Sequence, residues 1–275
     1  MGITRSVQGI KRHSLATRVM HWINAVCVVL VLMSGLQIFN AHPRLYWGQY
    51  GANTDTPFFK IDSEENGHGD KVVGFLQVGG TQVKSTGFLG VSGTDGAERA
   101  FPSWVTIPSW QDLAAGRRWH FFFAWILVFN SLTYLIVSVA QRHIRRDLLP
   151  RRFELTPRHI AGDLWNHLRL RFPTGDAAKQ YNVLQKLAYL GVIFILAPLM
   201  LASGLTMSPG ADSALPWLVD LFGGRQSART LHFLCAMLIV LFILVHLLMV
   251  MLAGPWNEVR SMITGRYVLP PGRTK

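Results

Sequence analysis

Four unbroken apolar runs, at about residues 19–40, 119–140, 183–207 and 230–253, constrain this chain more than any other feature. A hydrocarbon core of about 30 Å calls for about 20 apolar residues in helical form, and each run meets that length. The apolar residues come in blocks, not at the spacing of an amphipathic soluble helix, which points to helices surrounded by lipid. Half of the residues are hydrophobic and 15% are charged, in agreement. The expected fold is an all-α membrane protein, a four-transmembrane-helix bundle in which residues 1–275 form one domain. The first run is about twice as long as the apolar stretch of a secretion signal and is followed by no small-x-small cleavage site, so it is expected to remain a span.

A formal charge of +12 raises the question of nucleic acid, and its distribution answers it. Residues 1–20 carry Arg5, Lys11, Arg12 and Arg18 without an acid, 141–182 hold nine Lys/Arg against four Asp/Glu, and 254–275 hold four against one. By contrast, 41–116 hold five against eight, and 208–228 one against two. Basic loops on one side of the spans and acidic loops on the other follow the positive-inside rule. Both termini are therefore expected in the cytoplasm of a multi-pass membrane protein, with lipid and not nucleic acid as the partner of its basic face.

The 41–116 segment is too long for a bare connection and is expected to be an ordered extracytoplasmic insertion between helices 1 and 2. Within it, "KVVGFLQVGG" and "TGFLGVSGTDG" read as short strands punctuated by glycine turns. Tyr46, Trp47 and the aromatics of "FPSWVTIPSWQ" suit an interfacial surface, for lipid or for a docked protein. In the cytoplasmic connection, "TPRHIAGDLWNHLRLRF" predicts a surface helix capped by Thr156 with Pro157 in its first turn. An internal echo, "MSGLQIF" at 33–39 and "ASGLTMS" at 202–208, reads as close helix packing or room for a bulky cofactor. Cys27 and Cys235 lie in apolar spans without a CxxC or CxxCH, so neither a disulfide nor covalently attached haem is expected.

Of ten histidines, four lie in the spans or at their edges: His21, His120, His232 and His246. Ionisable groups there are costly and serve function by default. His246 follows His232 by 14 residues, about 21 Å along a helix and close to four full turns, so one helix presents two imidazoles on one face at two depths. Given the topology, His21 matches His246 in depth near the inner face, and His120 matches His232 near the outer face. Two facing imidazoles are what bis-histidine haem ligation requires, whereas each pair alone is too small for closed tetrahedral zinc. Arg18, Arg117 and Arg229 each precede a histidine by three residues, one helical turn toward the water. There they are placed either to pair with haem propionates or simply to snorkel into the interface. His13, His42, His68, His143, His159 and His167 read as solvated loop residues.

The segments "RVMHWINA", "GRRWHFFFAW", "YNVLQKLAYL" and "GGRQSARTLHF…FILVH" together resemble those of the bacterial cytochrome b561 and hydrogenase-type cytochrome b superfamily, most closely its thiosulfate reductase cytochrome b subunits. The resemblance covers the four spans. It implies two haem b groups, axially held by His21, His120, His232 and His246, and electron relay between a quinone pool and a partner. The long 41–116 insertion sets the chain apart from the smallest members and favours docking of an extracytoplasmic redox subunit; by analogy with the subgroup that subunit is a molybdopterin oxidoreductase. The chain is then an electron-transfer subunit. The competing readings are a stand-alone quinone-linked superoxide oxidase and a non-redox anchor or metal transporter.

Overall fold

The computed structural model describes residues 9–52, 54–65, 72–92, 96–169 and 181–268. Arg5, His68 and the 170–180 end of the cytoplasmic connection lie outside these, as does the side chain of His167. Among the described residues four helices are long and apolar enough to cross a membrane: Leu15–Asn40, Leu113–Ala140, Val183–Thr206 and Arg225–Ala253. Large apolar side chains such as Leu241, Leu244, Leu248 and Met251 on the fourth stay exposed, as expected of surfaces that meet lipid.

The first, second and fourth helices begin several residues before their apolar runs, because polar first turns are held by caps. Ser14 Oγ accepts from the Thr17 N–H at 3.1 Å, and Asp112 Oδ1 accepts from the Ala115 N–H at 2.8 Å. Asn182 and Gln185 form a reciprocal capping box at the start of the third. That third span contains one wide turn, Val192–Leu196, with hydrogen bonds reaching five residues on.

Two compact units divide the chain. One comprises residues 24–129 and 199–236 and contains the insertion. Strands β2 (Arg44–Leu45), β3 (Phe59–Glu65), β4 (Val72–Val78) and β5 (Thr81–Lys84) form an antiparallel sheet in that order, and β6 (Gly90–Ser92) pairs with β7 (Ala97–Arg99). The predicted strands in "KVVGFLQVGG" and "TGFLGVSGTDG" are thus present as β4 and β6; residues 93–95 of the second lie outside the described ones. Buried Phe39, Leu45, Ile61 and Ala100 make its core, against which Phe59, Phe101 and Phe233 pack. The core therefore runs from the sheet into the first and fourth spans, with Phe39 stacked on Phe233 at 4.7 Å. Tyr46, expected at an interface, is instead 2% exposed. The chain after β2 crosses the first turn of the fourth span, where Gly48 accepts from the Gln226 and Ser227 N–H groups and gives its own N–H to Ser227 Oγ. Gly224 sits at φ +117°, and a Cβ there would meet the Gly48 carbonyl at 2.5 Å, so only glycine permits this approach.

The other unit comprises residues 1–23, 130–198 and 237–275. Here β1 (Gly9–Lys11) and β8 (Arg266–Val268) pair antiparallel, joining segments from near the two termini. The predicted surface helix forms over Pro157–Leu168. The Thr156 hydroxyl, expected to cap it, donates to the Phe153 carbonyl at 2.8 Å and so closes the turn before the helix. Lys186 of the third span reaches both Glu154 carboxylate oxygens at 2.9 Å, with side chains 8% and 12% exposed. Burial pushes Glu154 upward, but the Lys186 and Arg151 N–H bonds outweigh it and hold the carboxyl below its ordinary range.

Candidate functional site

His120 on the second span and His232 on the fourth come together in the insertion-bearing unit. Their ring centroids lie 6.3 Å apart at 61°. Two metal–imidazole bonds of about 2 Å each, plus the radii of the rings, add up to nearly this separation. The surroundings of the two rings repeat each other. His120 Nδ1 meets the Val31 carbonyl at 3.0 Å and Ser34 Oγ at 3.3 Å, while His232 Nδ1 meets the Met200 carbonyl at 3.1 Å and Ser203 Oγ at 3.1 Å. Each serine hydroxyl donates its hydrogen one turn back, to Leu30 or Leu199, and so has only lone pairs to offer the ring. The network therefore puts the proton on Nδ1 in both rings. It leaves both Nε2 atoms with a free lone pair, the form of histidine that binds a metal, with its other nitrogen oriented by an outer partner.

A Cβ on Gly35 or Gly204 would stand 3.3 Å from the Cε1 of His120 or His232, so the neighbouring glycine lets each ring lie close against the facing helix. The "SGL" echo of the sequence is thus more than packing: Ser34-Gly35 and Ser203-Gly204 are equivalent seats for the two imidazoles. These serines were missed as site residues although the repeat signalled them.

The three arginines fare differently. Arg229, three residues before His232, donates to the His42 carbonyl and lies over the Phe39 ring at 5.6 Å. Arg117 is exposed, its guanidinium 5.7 Å from the Phe121 ring centre. Arg18, in the other unit, donates to the Ile263 carbonyl, and its Nε is buried without a partner among the described residues. His42, expected to be solvated, is partly buried and stacked against Tyr46, because the core of the insertion draws the segment after the first span inward. Burial, then the guanidinium groups of Arg229 and Arg44, hold its pKa below the ordinary imidazole value.

In the other unit His21 and His246 lie within electrostatic reach of each other, without a ring contact between them among the described residues. His246 stacks on Phe242, one turn earlier on its helix (6.1 Å, 15°), and Phe242 continues through Tyr189 to Tyr181 in an edge-to-face series. Cys27 and Cys235 are buried free thiols. Among the described residues no three His, Cys, Asp or Glu side chains converge on one point. A bare ion at either pair would find only two donors; haem, with four nitrogens of its own, needs no more.

Comparison with known proteins agrees. The family model of prokaryotic cytochrome b561 matches residues 12–265. A relative from Azospira oryzae, named as a putative protein-methionine-sulfoxide reductase subunit YedZ1, is 28% identical over 235 residues, 86% of this chain and 87% of its own length. With the four apolar helices, this makes the chain an integral membrane haem b electron-transfer protein. The chain belongs to the prokaryotic cytochrome b561 family.

Proposed function

We propose that the chain is a single dihaem domain in which His120 and His232 hold one haem b axially, His21 and His246 hold a second, and electrons pass between the quinone pool and a redox subunit docked on the 41–116 insertion. The observation that carries the reading is the matched pair of Nδ1-protonated imidazoles 6.3 Å apart. Bound between two histidines, haem supplies a one-electron couple with no open iron position, which suits transfer and not oxygen chemistry. Ser34 and Ser203 orient the rings, and Arg229 is the best placed of the three arginines to meet a propionate. Arg117 and Arg18 are weaker partners, one exposed and the other already engaged with Ile263. The charge bias of the loops supports cytoplasmic termini and an extracytoplasmic insertion. The relative named as a reductase subunit supports an oxidoreductase partner, for which a molybdopterin enzyme is our reading.

The test is a reduced-minus-oxidised absorbance spectrum with haem counted per chain by pyridine haemochrome. Two b-type haems per chain are expected, with His21→Ala and His120→Ala each removing a different spectral component. Depletion of the same component by both variants would break the pairing, and a folded chain without haem would break the whole reading.

A further inference from the structure

The segment just beyond the first span has unmet hydrogen-bonding groups. The rings of His42 and Tyr46 lie nearly parallel, 19° apart in plane and 5.8 Å between centres. Tyr46 is 2% exposed, yet among the described residues its hydroxyl has no partner, and the buried Nε2 of His42 has none either. A buried donor left unpaired is costly, and native structures leave few of them. Beside both stands Arg229, which donates to the His42 carbonyl and is followed in the chain by Thr230, the residue that holds the Tyr46 carbonyl. Among the described residues Arg229 makes no ion pair with a carboxylate. Water would serve the two neutral donors but leave a half-buried guanidinium uncompensated. An acceptor with several lone pairs and a negative charge satisfies all three at once, and that is a carboxylate.

The place of this cluster says whose carboxylate it is. Arg229 is one turn before His232 on the same helix face. The next residue, Thr230, donates its hydroxyl to the Tyr46 carbonyl at 2.6 Å, which locks the segment onto the turn that leads to the imidazole. We propose that Tyr46, His42 and Arg229 form a cradle for one propionate of the haem held by His120 and His232. The insertion is then part of the cofactor site and not only a docking lobe. This rests on the ligand assignment above.

Tyr46→Phe and His42→Phe each remove one donor and keep an aromatic ring in place. Both full-length variants are titrated spectroelectrochemically, with redox-difference infrared spectra recorded over the propionate carboxylate stretches, and His232→Ala identifies which spectral component belongs to that pair. A propionate short of one donor keeps more negative charge near the iron and favours the oxidised state. The expected result is a fall in the potential of the His120/His232 haem equivalent to about a fivefold change in equilibrium constant, or about 40 mV for one electron. Shifted carboxylate bands and an unmoved second haem accompany it. Full haem content with potential and carboxylate bands unchanged in both variants overturns the cradle, as does an equal shift in both haems. If Tyr46→Phe retains no haem, the His42→Phe titration decides. A His232→Ala chain that loses no component overturns the ligand assignment itself, and the cradle with it.

Discussion

Each imidazole of the His120/His232 pair is held by two acceptors and one absence: a backbone carbonyl, a serine hydroxyl and a missing Cβ. These parts differ in what their loss does. Ser203→Ala leaves the Met200 carbonyl to hold Nδ1, so the haem is expected to stay while its affinity falls about tenfold, the low end for loss of an outer-shell partner. Gly204→Val is expected to remove that haem, because a branched side chain starting 3.3 Å from Cε1 leaves the ring nowhere to lie. Haem counts and dissociation rates in detergent check both; equal behaviour of the two variants would contradict this division of labour. The serines were visible in the sequence as a repeat, but their role was not, since the hydrogen bond between His120 and Ser34 spans 86 residues.

Among the elements, the pairing of β1 with β8 illustrates what helix-centred reading overlooks. Three residues near each terminus form a ribbon at the mouth of the first span, with Arg12 stacked over Tyr267 at 4.4 Å and 3.7 Å from Glu258. His13 follows at once and lines a cavity of about 430 Å³ with Lys11, Arg18 and Arg266. Burial first, then Arg12 and other nearby cationic groups, lower its pKa from 6.5 to about 4. The unfolded chain therefore takes up a proton between these values that the folded chain refuses. Its contribution to stability is complete above pH 6.5 and declines as pH falls toward 4. Thermal unfolding in detergent between pH 7 and 5 is expected to show this decline. In His13→Gln it should be smaller by about 2–4 °C, what about 1 kcal/mol is worth in a chain of this size. An unchanged slope in the variant would remove His13 from the account.

At the scale of the whole molecule, four lipid-facing spans carry a sheet-built insertion whose outer surface bears Trp104 and Trp110, 70% and 65% exposed. If that surface docks the redox partner, Trp104→Ala with Trp110→Ala lowers the rate of partner-coupled haem oxidation at least tenfold and leaves haem content and the reduction of haem by quinol unchanged; an unaltered rate assigns both residues to lipid. Spans and the spacing of the four histidines were legible in the sequence alone. In hydrocarbon a backbone must satisfy its own hydrogen bonds, so a long apolar run is a helix whatever surrounds it, and helical spacing then sets the face of every residue on it. Local composition carries no such instruction for the segment after the first span. That Tyr46 turns inward, that His42 leaves solvent, and that the His42 carbonyl meets Arg229 was decided only by tertiary structure. Phe39, Leu45, Ile61 and Phe233, distant in sequence, had to pack into one core, and the polar groups went where that packing carried them.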